Sequence, residues 1–123
     1  MADISKIKIE ANTYDIKDNT ARAKFNYTST EQEIGTWIDG KTLYRKSFEC
    51  DNPTSGGYPV NDTGITANKI KKLSACCLTS AGGCLGLGYN GFWIQVDVAR
   101  KIYYVNPNYT AVKLYVIIEY TKE

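Results

Sequence analysis

GTWIDGKTLY, residues 35–44, is the stretch on which the fold turns. Asp39-Gly40 suits a two-residue type I′ turn, in which both central residues take positive φ and the twist matches the flanking strands. That turn sets Ile38 against Lys41, Trp37 against Thr42 and Gly35 against Tyr44. Trp37, Tyr44 and Phe48 would then share one face, with the Tyr44 ring covering Gly35 across the ladder.

Strand periodicity continues outward from this hairpin. Residues 65–66 and 70–78 read as strands. Phe92, Ile94, Val96 and Val98 alternate with Trp93, Gln95 and Asp97, and residues 102–105 follow after a tight turn at Ala99, Arg100 and Lys101. The last strand carries Val112, Leu114, Val116, Ile118 and Tyr120 on one face, with Lys113, Tyr115, Ile117 and Glu119 on the other. Apolar residues on both faces predict a central position. Residues 51–64, DNPTSGGYPVNDTG, are turn chemistry and predict a long loop. Several short strands at this spacing make the chain all-β, an antiparallel β-sandwich of jelly-roll-like form.

Ahead of this sandwich, a turn at residues 10–13 would set Ile9 against Tyr14 and Ile7 against Ile16, which predicts an N-terminal β-hairpin with one apolar face. Such a hairpin is marginal alone and must dock on something. Residues 19–25 are the one segment suited to a short helix. The chain thus divides into a hairpin and connector, residues 1–25, and a sandwich domain, residues 26–123.

Composition narrows the function classes. The 123 residues are 43% hydrophobic and 23% charged, enough for one core without metals or disulfides. Lys+Arg 15 against Asp+Glu 13 leaves a net charge of +2, which argues against duplex nucleic acid or an anionic bilayer as partner. Histidine is absent from the sequence, and with it the commonest general base and zinc ligand. The N-terminus has no apolar stretch of signal-peptide type. The longest apolar run, residues 114–118, falls far short of the roughly 20 residues of a membrane span. The expectation is synthesis in a cytoplasm without membrane insertion.

Cys50, Cys76, Cys77 and Cys84 lack the paired-knuckle spacing of a zinc site, and neighbours on a strand point to opposite faces. They are expected as free, buried, small hydrophobes, with no metal. Residues 86–91, GLGYNG, match G-x-G-x-x-G, but a strand pattern follows where a dinucleotide site needs a helix, so the stretch reads as a loop and no cofactor is implied. Glu31 with Glu33, or Asp51 with Asp62, would serve glycoside cleavage only if held together in a cleft. A glycan-active hydrolase is one alternative function on that ground. A second is a single-strand nucleic-acid-binding β-barrel, since Arg45-Lys46, Lys71-Lys72 and Arg100-Lys101 interleave with aromatics. The strongest signal is tyrosine, 10 against 3 Phe and 2 Trp. Tyr58, Tyr89, Trp93 and Tyr109 lie in or beside Gly, Pro and Asn loops, where an aromatic is displayed, and are the candidate ligand or interface residues.

Residues 27–48, YTSTEQEIGTWIDGKTLYRKSF, resemble the opening of a small all-β domain of phage and prophage tail and receptor-binding proteins. Residues 64–75, GITANKIKKLSA, are similar to the family's middle segment, and residues 112–122, VKLYVIIEYTK, to its terminal strand. ANTYDIKDNTARA, residues 11–23, is similar to a connector that precedes modules of such tail proteins. The four cysteines and the glycine-rich stretch 82–91 depart from the pattern. The resemblance implies a non-catalytic virion structural module, a homotrimer at a tail tip, which recognises a bacterial surface glycan or protein. It implies no catalytic residues.

Overall fold

The computed structural model describes residues 27–123, and the N-terminal hairpin and short helix expected from the sequence lie outside them. Eight strands among the described residues form two antiparallel sheets. β1 (Gln32–Thr36), β2 (Thr42–Asp51), β4 (Ile70–Thr79), β5 (Cys84–Gly86) and β8 (Ala111–Tyr120) make a five-stranded sheet in the order β1-β2-β8-β4-β5. β3 (Gly57–Val60), β6 (Trp93–Val96) and β7 (Ile102–Val105) make a three-stranded sheet in the order β3-β7-β6. The chain changes sheet at β2→β3, β3→β4, β5→β6 and β7→β8. The result is an open β-sandwich and not a closed barrel.

β8 is central, as its two apolar faces predict, paired with β2 along one side and β4 along the other. Leu114, Val116 and Ile118 are fully buried in one core with Ile102 and Tyr104 from the smaller sheet and Phe92 just before β6, and Tyr44, Phe48, Leu73 and Val96 pack around it. Burying each such aliphatic side chain contributes about 1.5–3 kcal/mol before ordering costs. The core lies between the sheets, so the odd-numbered face of β8 and its counterpart on β7 turn away from it.

The opening hairpin forms, but its turn differs from the expectation. Gly40 N–H donates to the Trp37 carbonyl at 2.9 Å and Trp37 N–H to the Lys41 carbonyl at 2.8 Å, so three residues make the loop. Only Gly40 has positive φ there (86°), whereas a type I′ turn needs it at Asp39 as well. Asp39 instead accepts the Lys41 N–H through its carboxylate, an interaction local to an ordinary turn. Thr36 therefore faces Thr42, and a bulge between Glu33 and Gly35 places Leu43 opposite Gly35 and Tyr44 opposite Glu33. Tyr44 does not cover Gly35; its ring lies against Tyr120 at 5.9 Å. Trp37 leaves the shared face for the ammonium of Lys71, 5.9 Å from its ring.

Other local differences have simple causes. β3 lies inside the stretch expected as loop, since Gly57 and Pro59 hide its strand character and Pro is tolerated at a sheet edge. β5 lies in the glycine-rich stretch, held by three pairings to β4. Ile65 is no strand residue: the Thr63 hydroxyl accepts its N–H at 3.0 Å, and the side chain plugs the core. The strand after Phe92 stops at Val96, where Asp97 opens a turn closed by Arg100 at φ 65°.

Candidate functional site

Strand alternation on the smaller sheet assembles an aromatic strip on its outer face. Ile94, Ile102 and Tyr104 point into the core, so Trp93, Gln95 and Tyr103 point outward. Gln95 pairs with Tyr103 and Trp93 with Val105, which puts the Trp93 and Tyr103 rings on one diagonal, their centroids 5.6 Å apart. Tyr58 on β3 approaches Tyr103 from the other side at 5.2 Å. The three rings span three strands in the order Tyr58, Tyr103, Trp93. Tyr58 is 49% and Trp93 41% exposed, so ring surface is left open beyond the ring-to-ring contacts. Lys101 stands on the same face with its ammonium 5.2 Å from the Tyr58 ring.

Tyr58 also borders a groove of about 780 Å³, whose lining includes Asp51, Asn52, Pro53, Asn61 and Asp62. Its carboxylates are held by cations. Lys113 Nζ is 2.9 Å from Asp51 and 2.7 Å from Glu49, and these two carboxylates push the lysine pKa up. Arg100 Nε is 3.5 Å from Asp62, whose other role is to accept the Gly64 N–H at 2.8 Å. The groove therefore offers amide and carboxylate groups that can hydrogen-bond hydroxyls beside an open ring.

The four aromatics read from the sequence fall into two groups. Tyr58 and Trp93 join the strip through Tyr103. Tyr89 and Tyr109 form their own pair, centroids 6.2 Å apart, where the 89–91 turn meets the 106–109 loop. Asn90 donates from its side-chain amide to Tyr109 Oη at 3.0 Å, and Asn108 donates to the Asn90 carbonyl at 2.7 Å. Gly91 permits the close approach: a Cβ there would meet Pro107 Cγ at 3.1 Å, and its φ is 85°. The G-x-G-x-x-G match thus starts on the last residue of β5 and runs through a loop into a tight turn before β6, where Asn90 and Gly91 take positive φ (47° and 85°).

Tyr103 is the member that loop proximity overlooked. It is a mid-strand residue between two buried neighbours, and only the pairing of β6 with β7 brings its ring between Tyr58 and Trp93. The signal was present: the outward face of the 92–105 hairpin carries Trp93 and Tyr103 alike.

The remaining motifs are placed as follows. Asp51 and Asp62 share the groove, each with its own cation. Glu31 accepts from Tyr120 Oη and pairs with Lys122. Desolvation pushes the Glu31 carboxyl up, but the contacts with Lys122 and Tyr120 outweigh it and hold the pKa below its ordinary value. Glu33 stands opposite Tyr44 on the edge strand. The basic pairs are dispersed: Arg45 lies over Tyr27 at 4.2 Å, Lys46 donates to the Thr63 carbonyl at 2.9 Å, and Lys71 and Lys101 lie on Trp37 and Tyr58. Of the cysteines, only Cys77 is fully buried; Cys50 and Cys76 are half-buried and Cys84 is exposed, which corrects the expectation of four core thiols. Cys76 and Cys77 do face opposite sides of β4. Compared with known proteins, the chain matches no family model, no curated sequence and no solved structure.

Proposed function

We propose that this chain is a non-catalytic structural module of a phage tail, which assembles as a homotrimer and presents the Tyr58, Tyr103 and Trp93 strip to a bacterial surface glycan. The observation that carries this reading is the strip itself. Three adjacent rings remain partly open on the outer face of the smaller sheet, and contiguous apolar surface of this kind marks interaction sites. Tyrosine and tryptophan offer a rigid apolar face with a polar tip, which suits a sugar ring with its apolar patches and rim of hydroxyls. The neighbouring groove supplies Asn52, Asn61, Asp51 and Asp62 for those hydroxyls.

The tail assignment, the trimer and the virion location rest on the resemblance of residues 27–48, 64–75 and 112–122 to tail-protein domains. Synthesis would take place in the bacterial host cytoplasm. Three copies on one axis would raise the avidity of a weak glycan contact through effective concentration.

The test is binding of the full chain to purified surface polysaccharides, with native mass measurement in parallel. Trp93→Ala and Tyr103→Ala should each weaken binding about tenfold, the equivalent of roughly 1.4 kcal/mol for one lost ring contact. Unchanged binding in both variants would remove the strip from the site. Cleavage of a polysaccharide, abolished by Asp51→Asn or Asp62→Asn, would establish the hydrolase instead. A monomer at all concentrations would overturn the trimer.

A further inference from the structure

The four cysteines are distributed so that one pair can react together. Cys50 and Cys77 flank Leu114 on the inner face of the large sheet, two strand spacings apart or about 10 Å. Cys77 also turns away from Cys76 and Cys84, because side chains alternate along β4. Cys76 pairs with Gly86 and Leu78 with Cys84, so Cys76 and Cys84 are diagonal neighbours on the outer face. Gly86 has no side chain, and a Cβ built on it would meet nothing within 4 Å. Space is therefore open over Cys76 for the Cys84 side chain to lean into. Burial pushes the Cys76 thiol up, and the adjacent Cys84 thiol pushes it further, as expected of two such groups in contact. Cys84 is exposed and Cys76 half-buried, an arrangement of an accessible thiol with a second thiol behind it.

We propose that Cys76 and Cys84 are a reversible thiol-modification site, which takes a low-molecular-weight disulfide and converts to an intramolecular disulfide between β4 and β5. The Cys84 thiolate attacks one sulfur of the small disulfide, forming a mixed disulfide and releasing one small thiolate. The Cys76 thiolate then attacks the Cys84 sulfur and releases the second. Two protein thiols are oxidised, one small disulfide is reduced to two small thiols, and the two protons pass to those products. The bond would close a short loop at the weakest edge of the large sheet, where β5 has only three pairings. Beyond β5 the chain runs directly into the loop that bears Tyr89.

The full chain, equilibrated with reduced and oxidised glutathione at graded ratios, tests it by intact mass, alkylation and fragmentation. The expected product is about 2 Da lighter, with Cys76 and Cys84 both protected from alkylation and Cys50 and Cys77 still reactive after unfolding. Cys76→Ser should stop at the mixed disulfide on Cys84, and Cys84→Ser should leave Cys76 unmodified at the same ratios. Amide exchange over residues 84–86 should slow roughly tenfold to a hundredfold in the oxidised chain, from the constraint on so short a loop. Four alkylatable thiols at every ratio, a product joining Cys77, or dimers linked through Cys84 would each overturn the proposal.

Discussion

Removing the middle ring of the strip tests its construction more sharply than removing either end. Tyr103 touches Tyr58 at 5.2 Å and Trp93 at 5.6 Å between centroids, with tilted rings in both cases. Aromatic pairs of this geometry carry about 0.5–1.5 kcal/mol beyond area burial. Tyr103→Ala loses two such contacts, so about 1–3 kcal/mol, together with the modest transfer term of a half-buried side chain. Single and paired alanine variants at positions 58, 93 and 103, unfolded in urea, separate the terms as double-mutant cycles. Coupling of Tyr103 to Tyr58 and of Tyr103 to Trp93 should each come out near 1 kcal/mol. Coupling of Tyr58 to Trp93 should fall within about 0.3 kcal/mol of zero, because they touch only through the ring between them. Equal coupling in all three pairs, or none involving Tyr103, would refute a strip ordered Tyr58, Tyr103, Trp93.

Two further outcomes follow from the fold and its charges. Ile118→Ala, at a fully buried position on β8 between Lys46 and Leu73, should cost about 2–5 kcal/mol, while the same deletion at Ile38, 90% exposed at the hairpin tip, should cost under about 0.5. Similar urea midpoints for the two variants would place β8 wrongly. Because contacts with Lys122 and Tyr120 lower the folded pKa of Glu31, its stabilising contribution is full above the ordinary value of 4.5 and is lost as pH falls through the folded value. The stability gap between the wild type and Glu31→Gln should therefore be widest near about pH 7 and shrink toward about pH 3. A gap that stays constant would show that the Glu31 charge contributes nothing.

Much of the fold is legible along the chain because burial follows strand alternation. Val112 to Tyr120 announce a central strand through apolar residues on both faces, and β8 is that strand. Ile102 to Val105 and the core of the 70–78 run are equally direct. Sequence and structure part where a single residue changes the count. A turn at Asp39-Gly40 admits two-residue and three-residue closures, and the choice depends on whether Asp39 takes positive φ. The three-residue closure moves Tyr44 from Gly35 to Ile34, and the bulge there moves it on to Glu33. β3 and β5 escaped for a different reason: each is three or four residues with glycine or proline, and pairing with a neighbour supplies what propensity lacks.

The candidate site divides in the same way. Loop position alone picked out Tyr58 and Trp93, since Gly, Pro and Asn around an aromatic leave it little to pack against. The same loop signal covers Tyr89 and Tyr109, which form a separate pair.

Antiparallel strands and the central position of β8 can be read along the chain, because period-two patterning and turn chemistry are local properties; that Tyr58 and Trp93 stand on strands of the smaller sheet cannot. Which strands become neighbours is a property of the folded chain alone. Tyr103 becomes the bridge of the strip, and Cys76 the partner of Cys84, through hydrogen-bonded registers between strands, and register is set by turns, bulges and a shared core rather than by any residue's own preference.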